Sequence, residues 1–180
     1  MKSVFSVGQG FRVPDGTVVY PCLDPTVLLS HSEGNRADAV SIAVGNIAPS
    51  TSSKIHVHPV VTQAIWVLSG RLQVVMKDPG PEDPYALDVV PEQAVVTRPG
   101  TFLQLINPGS VNCRVLYIVS PAYLFELDAE GKVAYDDAIV LEETWGDLRK
   151  GNWTHPQLAH VEVVREARQR ALDRLRARKP

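Results

Sequence analysis

The sequence has little of several things that would narrow its chemistry at once. It holds only two cysteines, Cys22 and Cys113, far apart and without partners at metal-ligand spacing, so neither a cysteine zinc site nor a disulfide framework is indicated. They read as reduced thiols in a core. No charge of either sign dominates; a formal net charge of -2 gives the chain no general attraction to nucleic acid or to an anionic membrane. No apolar run approaches a membrane span, since stretches such as "AVVTRPGTFLQLI" are broken by Arg98, Pro99 and Gly100. The opening "MKSVFSVGQGFRVPDG" has no continuous apolar segment, so a secretory signal is not expected and a cytoplasmic location is. Internal repeats and low-complexity tracts are also missing.

What is present is enough for one domain with a substantial core: 180 residues, 44% hydrophobic and 21% charged. Between about residue 17 and residue 140 the chain is a succession of short β-rich segments, among them "TVVYPCL", "TVLLS", "AVSIAVGNI", "QAIWVLSG", "RLQVVMK", "AVVTR", "TFLQLIN" and "NCRVLYIVS". Turn residues separate them, as at Ser69-Gly70, Pro79-Gly80-Pro81, Pro99-Gly100 and Asn107-Pro108-Gly109. Many short strands at this spacing predict an antiparallel sandwich or barrel and not a βαβ sheet. The last forty residues differ. "EETWGDLRKG" predicts a short helix stopped at Gly151, and Val161, Val164, Ala171, Leu172 and Leu175 recur near helical spacing. Seven basic residues between Arg165 and Lys179 read as the solvated or packed side of that helix, not as a nucleic-acid site. The expected organisation is an N-terminal arm with edge strands over 1–37, a barrel over 38–140 and a helical tail over 141–180, all within one domain.

Within "KIHVHPVVTQAIWVLSGRL", His56 and His58 stand two apart in a strand-forming segment. That spacing puts both side chains on one face, with Cα atoms about 7 Å apart. Two imidazoles so placed can converge on one ion at about 2.0 to 2.1 Å per nitrogen. The pair alone is equally compatible with hydrogen-bonded histidines that bind nothing.

The surrounding residues resemble the first motif of the cupin superfamily, G-(x)5-H-x-H-(x)3,4-E-(x)6-G. His56 and His58 fall on its histidines, Gln63 on its glutamate and Gly70 on its last glycine, while Ser50 replaces the first glycine. The stretch "EQAVVTRPGTFLQLIN" resembles the second motif, G-(x)5-P-x-G-(x)2-H-(x)3-N. Gly100 and Asn107 match there, whereas Glu92, Arg98 and Leu103 replace the glycine, proline and histidine. The resemblance covers residues 38–126 and implies an all-β fold, a cupin jelly-roll barrel, here with a C-terminal helical segment. It also implies a divalent transition metal (Zn, Fe, Ni or Co) on His56, His58 and Gln63, a small organic substrate, and a homodimer.

The departures change the expected chemistry. An amide offers only a neutral carbonyl oxygen, so a metal held by His56, His58 and Gln63 keeps its full charge. This favours Lewis-acid work on a carbonyl or enol, as in a cyclase, isomerase or lyase of a biosynthetic pathway, over the dioxygen chemistry of a carboxylate-containing triad. Tyr117, in phase with Cys113 and Val115, is a candidate acid or orienting group; a core phenol is its simpler reading. Leu103 takes the place of the fourth ligand, and Gln104 would face the cavity only if a bulge near Pro99-Gly100 shifted the register. Phe102 and Trp66 read as packing, Arg98 as a solvated charge, and His31, His155 and His160 as unrelated to the site. The rival expectations are a cupin dioxygenase, a metal-free epimerase-like cupin using His56 or His58 as base, and a non-catalytic ligand-binding cupin.

Overall fold

The architecture comes from a computed structural model that describes residues 4–26, 38–158 and 161–177. Among the described residues, fourteen strands form two facing antiparallel sheets and a small hairpin. The first sheet runs β1 (Phe11–Arg12), β2 (Val18–Leu23), β3 (Ser41–Ile47), β11 (Cys113–Ser120), β6 (Thr62–Ser69) and β9 (Ala94–Thr97). The second runs β14 (Ile139–Val140), β5 (His56–Val57), β10 (Phe102–Asn107), β7 (Leu72–Lys77) and β8 (Tyr85–Val89), with β4 (Thr51–Ser52) also on β10. Strands β12 (Phe125–Leu127) and β13 (Val133–Asp136) make the separate pair. The chain passes repeatedly from one sheet to the other, as in β5 to β6 and in β9 to β10 to β11. The result is the expected all-β barrel followed by a helical segment.

Alternation explains which side chains meet inside. In β11, Cys113, Val115, Tyr117 and Val119 are buried and their neighbours are not; in β6 the buried set is Gln63, Ile65 and Val67. With Leu103 and Leu105 from β10 and Val74 and Met76 from β7 they form the core between the sheets. Both cysteines are free thiols, and burial pushes that of Cys113 up to about 11. Gly70 shows why one turn needs glycine. Its φ is +86°, and a Cβ there would stand 2.8 Å from the Asn112 carbonyl oxygen. Asn107, fully buried, donates to the carbonyls of Ile47 (2.9 Å) and Val111 (2.8 Å) and accepts from Gly109 (2.9 Å), which ties the end of β10 to the next strand.

The tail folds as two helices. Helix α1 (Trp145–Lys150) starts at a capping box between Thr144 and Asp147 and stops at Gly151, as its sequence predicts. Helix α2 (Val161–Ala177) buries Ala171 and Leu172 against Leu124 and Tyr135. Its arginines serve the chain itself: Arg168 lies 3.2 Å from the buried Asp137, and Arg174 clasps Glu126 with its closest contact at 2.6 Å. Among the described residues no helix is long and apolar enough to cross a membrane. The strand expected in "TVLLS" falls almost wholly outside the described residues, as do His31 and His160. The short strands β1, β4, β13 and β14 are not evident from sequence, because runs of two to four residues carry no usable period.

Candidate functional site

The two sheets part at one end around a cavity of about 240 Å³ lined by His56, His58, Gln63 and Tyr117. Each arrives from a different strand or strand end. His56 begins β5, wedged between Leu103 of β10 and Val140 of β14. His58 follows β5 immediately, and both rings are almost wholly buried with centroids 5.3 Å apart. Gln63 enters from β6 and Tyr117 from β11. The Tyr117 ring packs against Gly45 so closely that a Cβ on Gly45 would stand 2.3 Å from it.

The histidines are prepared differently. His56 Nδ1 lies 3.0 Å from the Lys54 carbonyl oxygen. A carbonyl only accepts, so that nitrogen carries a proton, and in a neutral ring the lone pair is then on Nε2. A carboxylate oxygen of the buried Asp15 is 3.9 Å from the same nitrogen. His58 has no such support: its Nδ1 is buried without a hydrogen-bond partner. Burial and the neighbouring His56 lower its pKa to about 3, so it stays a neutral imidazole. The Tyr117 hydroxyl is likewise buried without a partner of hydrogen-bonding geometry. Burial, with the Asp15 carboxylate adding to it and Thr17 opposing it, holds that phenol well above its ordinary pKa. Unpartnered polar atoms are rare in interiors, and two of them line this one cavity.

Three further groups complete the wall, and no pattern in the sequence marks them. Tyr123 packs edge-on to His58 at 5.7 Å and donates its hydroxyl hydrogen bond to Asp136 at the end of β13. Burial pushes the Asp136 carboxyl up to about 6, against the opposing bonds from Tyr123 and the Ala138 amide. Asp136 is far from the histidine motif in sequence, and only the return of the chain through β13 and β14 brings it in. Asp15, which accepts from the Thr17 amide and hydroxyl at 2.8 Å each, arrives in the same way from the loop before β2. Among the described lining residues there is no lysine or arginine, while Asp15, Asp24 and Asp136 contribute carboxyls.

Gln104 is placed elsewhere, which corrects its candidacy. β10 pairs with β5 and β7 without a register shift, so no bulge turns Gln104 inward. Its side chain points out of the barrel, donating to the Ser53 carbonyl (2.9 Å) and accepting from the Trp145 indole (2.9 Å). Leu103, opposite His56, is fully buried in the core, and Leu105 is the member of that face reaching the cavity. Phe102 packs outward against Trp153 with ring centroids 6.2 Å apart, Arg98 is exposed, and His155 faces Glu143 at 3.7 Å, away from the site.

The donors present suit a metal ion. Two imidazoles bound to one ion at about 2.0 to 2.1 Å and a near-tetrahedral angle have centroids about 5 Å apart, close to the spacing seen here. Among the described residues no three His, Cys, Asp or Glu side chains group as a metal set, so an ion on the two imidazoles would need its third protein donor from a residue such as Gln63.

No family model matches the sequence, and no curated protein does. Solved structures match the fold. Oxalate decarboxylase from Lactobacillus farciminis superposes with a TM-score of 0.53 at 13% identity, over 87% of this chain and 40% of that one. The capsular polysaccharide assembling protein CapF from Staphylococcus aureus gives 0.53 at 14% identity, over 79% and 33%. KdgF from Halomonas sp. gives 0.51 at 14%, over 67% and 94%. The chain thus spans well under half the length of the first two and nearly all of the third. The fold is the cupin double-stranded β-helix.

Proposed function

We propose that the protein is a small-molecule enzyme whose barrel cavity takes a small organic substrate beside a divalent transition metal. His56, His58 and Gln63 would hold the metal, which supplies Lewis-acid polarisation of a carbonyl or enol oxygen when bound. The observation that carries this reading is the pairing of two buried imidazoles with ring centroids 5.3 Å apart, one of them with an unpartnered nitrogen. Carboxyl-bearing walls without a lysine or arginine favour a cation there as well.

The chain's own residues have definable tasks. The Lys54 carbonyl fixes the tautomer and orientation of His56. Tyr117 presents a neutral hydroxyl that can donate to a substrate oxygen, its pKa too high for it to ionise. Asp136, titrating near pH 6 and bonded to Tyr123, is suited to accept a proton at one oxygen and return it. Cyclisation, isomerisation and elimination next to a carbonyl all need such a transfer.

A metal-free acid–base enzyme is the second reading, favoured by that Tyr123–Asp136 pair and by Asp15 behind His56. Elemental analysis of protein purified without added metal separates the two. One equivalent of metal in the wild type, lost in His56→Ala and in Gln63→Ala, supports the first. A wild type that stays metal-free through titration with Zn, Fe, Ni and Co, yet shifts its melting temperature with small acids, enones or sugars, supports the second.

A further inference from the structure

The wall of the barrel cavity is divided by chemistry as well as by element. His56, Gln63, Tyr117 and Asp136 reach it from β5, β6, β11 and β13. Much of the remaining wall is hydrocarbon, from Phe11, Val13, Pro21, Leu23, Phe125 and Leu175. Phe11 of β1 and Phe125 of β12 stack with ring centroids 5.5 Å apart. Across the first sheet, Pro21 pairs with Ala43 and Ala43 with Tyr117, which puts the apolar edge two strands, about 10 Å, from the phenol. A space of about 150 Å³ accommodates benzene, so the cavity of about 240 Å³ accommodates roughly ten non-hydrogen atoms.

Resting on the reading of this cavity as a substrate site, we infer that its substrate is an uncharged hydroxy ketone with a compact apolar body, and that carboxylates, phosphates and polyols are poor occupants. Charge disfavours anions. Among the described lining residues Asp15, Asp24 and Asp136 bring carboxyls, and no lysine or arginine opposes them. The carboxylates of Asp15 and Asp136 would offset a divalent ion on the histidines, which leaves no surplus of positive charge for an anionic substrate. A sugar would set several hydroxyls against Phe11, Pro21 and Phe125, where each loses water without gaining a partner. The polar groups point to the hydroxyl and the carbonyl. The hydrogen bonds to Asp136 from Tyr123 and from the Ala138 amide both fall on Oδ1, and among the described residues none is made to Oδ2. The Tyr117 hydroxyl is buried without a partner. A hydroxyl that donates to Asp136 Oδ2 and a carbonyl that accepts from Tyr117 satisfy both groups at once.

Calorimetric titration near neutral pH tests this, on the protein as purified and again after chelator treatment. The probes are meta-hydroxyacetophenone, acetophenone, which lacks the hydroxyl, meta-hydroxybenzoate, which carries a carboxylate in place of the methyl ketone, and glucose. The hydroxy ketone is expected to bind at least about 10-fold tighter than the carboxylate in both preparations, because the carboxylate enters a wall of its own sign. Acetophenone is expected to bind about 10-fold weaker than the hydroxy ketone, the scale of one hydrogen bond to a charged group, and Asp136→Asn should shrink that difference below about 3-fold. The wild-type comparison decides the matter even where Asp136→Asn fails to fold. Hydroxybenzoate or glucose binding as tightly as the hydroxy ketone overturns the inference, and so does the absence of binding by either ketone up to about 10 mM. A protein that never loads metal yet keeps the preference overturns the metal of the underlying reading and leaves this inference standing. Metal loading without the preference does the reverse.

Discussion

The two sheets of this barrel both turn apolar side chains outward, and the chain treats those outer faces differently. Behind the second sheet, Val57 and Phe102 are buried with Leu141 and Leu148, and Trp145 and Trp153 pack against them. Lys77 is buried there too, its ammonium 5.6 Å from the centre of the Trp153 ring. The tail thus roofs one sheet with the chain's own residues. Behind the first sheet, Trp66, Leu68 and Val96 stand in solvent. The contrast explains two placements at once. Gln104 belongs to the roofed face, where Trp145 and Ser53 occupy its amide, and the aromatic expected to pack, Trp66, belongs to the bare one.

Substitutions should separate the two faces by size of effect. Leu148→Ala under the roof leaves a hole in a packed cluster and should cost about 2 to 5 kcal/mol in urea unfolding. A loss below about 1 kcal/mol would mean the roof is not part of the folded core. The cavity between the sheets gives the next largest effect, as a pH dependence in chelator-treated protein. Folding holds His58 at about 3 against an ordinary 6.5, so below pH 6.5 the unfolded chain binds the extra proton and stability falls with falling pH. Asp136 works the other way. Held at about 6 against 3.8, it binds more protons when folded, and stability rises as pH falls from 6 to 3.8. The two slopes oppose between pH 4 and 6, so wild type should be nearly flat there. Asp136→Asn should reveal the His58 slope of about 1.4 kcal/mol per pH unit, and a variant as flat as wild type would show that His58 does not stay neutral.

Smaller effects sharpen the comparison further. Gln104→Ala strips a partner from the Trp145 indole and the Ser53 carbonyl and should cost about 1 to 2 kcal/mol. Metal content by elemental analysis should not change in that variant, whereas Gln63→Ala should lose it. Equal loss from both would put Gln104 back in the site. On the bare face, Val96→Thr should change single-chain stability by less than about 0.5 kcal/mol at concentrations too low for association. A cost near that of Leu148→Ala would mean the face is covered within one chain.

Much of the site was legible because its signals are local. The separation of His56 and His58, the β6 alternation that turns Gln63 inward and the β11 phase that carries Tyr117 all follow from a period of two. Tyr123, Asp136 and Asp15 were not legible, since each reaches the cavity through a turn or a two-to-four-residue strand that no period marks. The two missing motif glycines add a finer point. Ser50 and Glu92, which stand in their places, keep positive φ angles of 52° and 70°. The backbone path survives there without the residue that best tolerates it, at a cost of about 1 to 3 kcal/mol each.

By itself, the order of residues determined the all-β class, the inward face of each long strand, the tight turns and the end of helix α1 at Gly151, because these depend on neighbours within a few positions. Only the tertiary structure decided which carboxyls join the histidines, where Gln104 points, and which outward apolar face receives a cover. Alternation marks a side chain as facing in or out, but what meets it there comes from segments tens of residues away, and that pairing is set when the sheets close.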